Sequence, residues 1–186
     1  MCHTLLQDPK LYALLSLIDH EHAAEVRAAG CGCGGVLHSA RYPRKPRGGP
    51  PELRQTYNSR LSFCCAQCRR RHTPMSVRYL GRRVYLATVV VLACAMLTGI
   101  TGRRALQLSA TLNVPLRTLE RWRHWWMVDF VKTPFWRSVC ARFMPPVALA
   151  TMPAGLLSRF TANDLASRLT QSLRFLAPLS TLTEAA

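Results

Sequence analysis

Two short cysteine pairs are the residues of this chain whose type and spacing point most directly to chemistry. Cys31-Gly-Cys33 and Cys65-Ala-Gln-Cys68 lie about thirty residues apart, each at a turn beside strand-like residues. Four thiolates in two knuckles form a complete donor set for a tetrahedral structural metal, and zinc is the ion that such sets hold. Closing four metal–sulfur bonds supplies folding free energy that a short segment with little apolar surface lacks. The glycines after Cys33 allow the backbone to turn and face its amides toward the sulfurs. Cys64 adjoins Cys65, so either could be the third ligand, and the two-residue spacing to Cys68 favours Cys65. His38 and His72 are substitutes of lower rank: the first sits in a strand-like run, the second in a basic one. A redox pair is the competing use of C-x-x-C, but that chemistry belongs with a helix start in a βαβ setting, which the flanking residues do not offer. Structural Zn2+ is therefore the expected cofactor.

The second chemical signal is charge. Lys and Arg number 25 against 9 Asp and Glu, a net charge of +16, and nearly all the cations are arginine. The surplus is uneven: residues 41–83 carry twelve basic residues against Glu52 alone, whereas residues 1–40 are net acidic. A guanidinium fork matches phosphate oxygens bidentately, so this concentration is read as a nucleic-acid-binding face and not as general basicity. Its candidate contacts are Arg44, Lys45 and Arg47 in the proline- and glycine-rich loop 43–51, and Arg69, Arg70 and Arg71 directly after the second knuckle. The few acids are scattered along the chain. Cutting nucleic acid through two metals needs several converging carboxylates, and none are indicated, so no enzyme is expected.

The elements that must position these residues follow from periodicity and punctuation. Asp8-Pro9 predicts a helix start, Leu11, Leu14, Leu15 and Ile18 an apolar stripe, and Gly30 a stop, giving a helix over 9–29. VLHSARY (36–42) and the run around Tyr57, Leu61 and Phe63 read as strands. Beyond residue 82 the chain reads helical, over 82–100, 103–112, 116–128, about 134–143 and 162–176, with Pro145-Pro146, Pro153 and Pro178 as breaks. The expected class is α+β, mostly α: an N-terminal helix (1–30), a small β zinc ribbon (31–81), a helical core with a helix-turn-helix (82–128) and a helical C-terminal region (129–186).

Residues 84–100 contain no charge and are flanked by arginine pairs on both sides. That length is at the lower limit for a membrane-spanning helix, and the symmetric flanks give no orientation signal, so a buried core helix is preferred to a membrane anchor. The opening MCHTLLQDPK lacks the basic run of an export signal, and eight cysteines without one point to a reducing compartment.

Leu108, Leu112, Val114, Leu119 and Trp122 have the spacing of the buried positions of two helices joined at Asn113-Val114-Pro115. This leaves Arg117, Thr118, Arg121 and His124 on the outer face of the second helix, as major-groove reading requires, with Arg123 available to a phosphate. The combination of CGCGGVLH, RYPRKPRG, FCCAQCRRRHTP and LSATLNVPLRTLERWRHWW resembles the zinc-ribbon plus helix-turn-helix modules of bacterial insertion-sequence transposases and their accessory proteins. The resemblance covers about residues 31–128. It implies that Cys31, Cys33, Cys65, Cys68, Arg117 and Arg121 serve recognition of element DNA. Two departures stand out: the first pair is C-x-C, and no catalytic domain follows. The expectation is a cytoplasmic, bacterial DNA-binding protein, a transposition accessory factor or regulator. Its expected partner is DNA, with a transposase or a second copy as protein partners; an RNA-binding ribbon and a membrane-anchored protein are the alternatives.

Overall fold

A four-residue turn of helix, α1 (Cys2–Leu5), precedes the first long helix, α2 (Pro9–Ala29), which starts and stops where the sequence predicts. Extended Asp8 caps it by accepting from the Lys10 amide at 2.9 Å, Pro9 occupies the first turn, and Gly30 ends it with φ +69°. The computed structural model describes residues 2–81, 84–99 and 101–181. They form two units, one of residues 7–87 and 173–181 and one of residues 2–6 and 88–172.

In the first unit α2 buries Leu11, Tyr12, Leu15, Ile18, Asp19 and Ala23. Leu14, expected in the stripe, is 44% exposed, and Tyr12 and Asp19 take inward positions instead. After α2 come β1 (Leu37–Ser39), β2 (Tyr42–Pro43), α3 (Arg54–Tyr57), β3 (Ser59–Arg60), β4 (Phe63–Cys65) and β5 (Arg71–His72). Strands β1, β4 and β5 make an antiparallel sheet in that order, with Leu37 opposite Cys65, His38 opposite Cys64 and Cys64 opposite Arg71. Strands β2 and β3 pair separately. Tyr57, expected in a strand with Leu61 and Phe63, lies in α3, because the chain makes a helical turn before Ser59 resumes pairing.

Leu37, Leu61, Phe63 and Cys65 pack with Ala23 of α2, and Val26 and Cys31 flank them. This apolar cluster is small, as the composition implies. Leu11, Leu15, Ile18, Val77, Leu80 and Leu86 supply further buried apolar surface in this unit, and a polar network is buried among them. Asp19 is fully buried and accepts from Arg78 Nε at 2.6 Å, Ser76 Oγ at 2.5 Å and the Val77 amide at 2.8 Å. Arg60 Nη1 stands 3.8 Å from the same carboxylate, and both guanidiniums are 2% exposed. Arg60 also donates to Pro74 O and Ser180 Oγ. The Arg78 guanidinium lies over Tyr57 (4.9 Å to the ring centroid) and Tyr79 (5.4 Å), so apolar rings and one carboxylate enclose the cations. Tyr79 donates to Tyr57 O, and Tyr57 to Tyr12 O at 2.6 Å. Burial raises the phenol pKa values of Tyr12, Tyr57 and Tyr79 and lowers that of the Arg60 guanidinium.

The apolar run after residue 82 contributes α4 (Ala87–Met96), and residues 82, 83 and 100 of the longer predicted helix lie outside the described residues. Val89–Cys94 are buried without a break, so every face of α4 is covered, as a core helix requires. Among the described residues no helix is long and apolar enough to cross a membrane.

In the second unit, α5 (Gly102–Leu112) and α6 (Leu116–His124) are joined by a three-residue turn in which Asn113 is left-handed (φ +50°). Ser109 Oγ donates to Val114 O at 2.7 Å and closes the turn. The predicted continuation to residue 128 is a π-helical turn, Trp125–Asp129, leading into α7 (Pro134–Val139), which Thr133 caps. Trp126, Phe130 and Trp136 form the centre of this part, with ring centroids 4.8 and 5.1 Å apart. Then follow α8 (Ala154–Leu157) and α9 (Leu165–Leu176), of which residues 165–172 belong to this unit and 173–176 to the first; α9 starts after Asp164, which accepts from the Ser167 amide at 2.8 Å. The α9 helix begins at 165 and not at 162 because that cap fixes its first turn.

Candidate metal centre and basic surfaces

The two knuckles meet because β1 pairs with β4. The Leu37–Cys65 register brings the turn that precedes β1 alongside the turn that follows β4. The Sγ atoms of Cys31, Cys33, Cys65 and Cys68 all lie within 4.8 Å of one another. Three of the contacts, Cys31–Cys68, Cys31–Cys33 and Cys33–Cys65, are 3.5 Å. A tetrahedron of sulfurs about 2.3 Å from a central zinc has edges of about 3.8 Å, so the cluster has the size of a four-thiolate metal site.

Local backbone bonds build each knuckle. In the first, the Gly34 amide donates to Cys31 O at 2.8 Å. Gly35 leaves no room for a side chain: a Cβ there would stand 2.6 Å from Cys65 Sγ and 2.8 Å from Gln67 Cβ. In the second, the Arg69 amide donates to Cys65 O at 3.1 Å, and the Cys65 amide to Arg70 O at 3.0 Å. Arg69 completes this turn in the left-handed region, φ +60°.

The same amides set the electrostatics. The Cys68 amide, aided by that of Gln67 and by neighbouring thiols, outweighs desolvation and draws the Cys65 thiol down to about 6. At Cys31 the Cys33 amide pulls downward, but hydrogen bonds with Cys68, Cys33 and Cys65 and partial burial together push the thiol up to about 12.

Of the alternates, Cys64 points its sulfur elsewhere, within 3.4 Å of Arg69 O, on the opposite side of β4 from Cys65. His38 lies opposite Cys64 in β1, outside the cluster, and His72 lies opposite Phe63, its Nε2 buried without a partner among the described residues.

The basic residues divide by environment. Lys45, Arg47, Arg69 and Arg70 are exposed. Arg71 is exposed too, but its Nη1 donates to Ala40 O at 2.9 Å, and its guanidinium lies 5.8 Å from the Tyr42 ring. Arg44 is half-buried, over the Tyr79 ring at 5.0 Å, and donates to Gly81 O. Both therefore serve the fold of their own unit. In the other unit α6 buries Leu119 and Trp122 and exposes Arg117, Arg121, Arg123 and His124, while Thr118 is half-buried.

The Asp19–Arg78–Arg60 network is not visible as such in the sequence, where both arginines enter only as part of the charge of residues 41–83. One signal was available: Asp19 follows Leu15 by four residues, a charged group in line with the apolar stripe. Other acids also have structural positions: Asp8 and Asp164 cap helices, and Glu21 meets Arg174 at 3.4 Å in a half-exposed pair. Compared with known protein families, with curated proteins and with solved structures, the chain matches none.

Proposed function

We propose that this chain is a DNA-binding protein in which a structural zinc ion, held by Cys31, Cys33, Cys65 and Cys68, fixes a basic knuckle. Zinc is favoured because an all-thiolate tetrahedral donor set suits it and excludes the hard, oxygen-seeking cations. One observation carries the reading: Arg69 and Arg70 are exposed, and their backbones are hydrogen-bonded to the ligand residue Cys65 at 3.1 and 3.0 Å. Whatever holds the Cys65 sulfur thus holds two guanidinium-bearing residues in place, which is what phosphate contact requires. Lys45 and Arg47 extend the same chemistry along loop 43–51. The exposed arginines of α6 supply a second, helical contact of the kind used in the major groove.

The role is non-enzymatic. Among the described residues the cysteines are the only group that could gather a metal ion, and Asp8, Asp19, Glu21 and Asp164 are engaged in caps and ion pairs. The resemblance to insertion-sequence modules makes an accessory or regulatory role in transposition the specific form of this proposal, acting in a reducing compartment.

The test is salt-dependent binding of the zinc-loaded protein to duplex DNA. Each phosphate contact contributes about −0.9 to the slope of log affinity against log salt. Replacing Arg69 and Arg70 with alanine should make that slope shallower by about 2. A slope near zero in the wild-type protein contradicts the reading, and so does complete displacement of DNA by an equal concentration of structured RNA.

A further inference from the structure

The four ligand cysteines differ in exposure, and the difference is arranged in pairs. Cys33 and Cys68 are exposed, Cys31 is half-buried and Cys65 is buried. Cys68 is 3.5 Å from Cys31, and Cys33 is 3.5 Å from Cys65. Each pair joins one exposed cysteine with one less exposed cysteine, each pair crosses between the knuckles, and together they use every ligand. We propose that the metal centre is a reversible thiol switch, in which a hydroperoxide converts the four thiolates into Cys31–Cys68 and Cys33–Cys65 disulfides and releases the metal. The inference rests on the metal reading above and adds its regulation.

The chemistry balances within each pair. The thiolate of the exposed cysteine attacks the peroxide O–O bond, forming a sulfenic acid and expelling hydroxide. The thiolate of the less exposed cysteine then attacks the sulfenic sulfur, forming the disulfide and expelling a second hydroxide. Two peroxide molecules accept four electrons from four thiolates. With four protons from solvent, the products are two disulfides, four waters and a free metal ion, because disulfide sulfurs no longer supply the thiolates that bind it. The Cys31–Cys33 contact is equally short, at 3.5 Å. Closing it, however, would force a disulfide across one intervening residue, outside the usual geometry, and leave Cys65 and Cys68 to pair within their own knuckle. Crossing disulfides keep the two knuckles tethered while the ion is absent, so reduction can restore the site.

The experiment treats the zinc-loaded full-length protein with hydrogen peroxide, follows released zinc with a chromogenic chelator, and maps disulfides by non-reducing peptide mass spectrometry. The expected result is one zinc released for every two peroxide molecules consumed, with Cys31–Cys68 and Cys33–Cys65 as the main links. Dithiothreitol with added zinc should restore full occupancy. The Cys64→Ser variant, altered outside the cluster, should behave as wild type. Zinc retained while free Cys64 and Cys140 are oxidised overturns the switch, as does release accompanied by links to Cys64, by links within either knuckle, or by irreversible sulfinic acids. Protein isolated without metal overturns the metal reading itself, so the two failures are distinguishable.

Discussion

Gly35→Ala perturbs the metal site without replacing a ligand. A Cβ at position 35 would stand 2.6 Å from Cys65 Sγ, 2.8 Å from Gln67 Cβ and 3.3 Å from Cys33 Sγ. Neither sulfur can retreat without leaving the cluster, and Gln67 Cβ is fixed by the backbone of the second knuckle. Overpacking of this kind costs about 1–3 kcal/mol. If the strain is relieved when the sulfurs spread, it falls on metal binding, and the metal dissociation constant should rise about 5- to 150-fold. Gly32→Ala is the matched control, since a Cβ there meets nothing within 4 Å. Competition titration against a chelator of known affinity, on both variants and wild type, reads the effect directly. Gly35→Ala binding zinc within twofold of wild type, or the two variants weakening binding equally, would refute the packing argument.

Other consequences concern different parts of the chain. Asp19→Ala removes the counter-charge of two buried guanidiniums and the acceptor of Arg78 Nε, the Ser76 hydroxyl and the Val77 amide; urea unfolding should show a loss of about 3–5 kcal/mol, and a loss under 1 kcal/mol would contradict the network. Cys65→Ser should abolish stoichiometric metal binding while Cys64→Ser leaves one metal per chain, as elemental analysis would show; the reverse pattern would exchange the ligand assignment. Zinc affinity should rise with pH from about 6 to 9, because the Cys31 thiol, pushed up to about 12 without metal, must give up its proton on binding; a flat profile in chelator competition would contradict this. Thr133→Ala removes the cap that accepts from the Trp136 amide at 3.1 Å and should destabilise the second unit by about 1 kcal/mol in thermal unfolding.

What the sequence revealed was local. Asp8-Pro9 and Gly30 bound α2 through interactions within a few residues, so its limits could be read before any fold was known. The cysteine pairs were equally legible, since metal geometry fixes ligand spacing within each knuckle. The Tyr57 strand assignment failed because alternation at 57, 61 and 63 fits a strand only if the backbone stays extended, and a helical turn intervenes at Arg54–Tyr57. Leu14 and Tyr12 were interchanged because the inward face of α2 is set by partners distant in sequence. Asp19 and Arg78 are 59 residues apart, and the pairing that buries them appears only when α2 meets the segment after β5. Charge counting could not separate the interior Arg60 and Arg78 from the exposed Lys45, Arg47 and Arg69–Arg71.

On the reading proposed above, Cys31, Cys33, Cys65 and Cys68 hold one structural zinc ion. Native mass spectrometry of the reduced full-length protein, before and after chelation, tests it most directly. The expected result is one zinc per chain, removal of that zinc only with loss of ordered structure around the knuckles, and full recovery on adding zinc back. A metal-free protein whose fold is unchanged by chelator would contradict it.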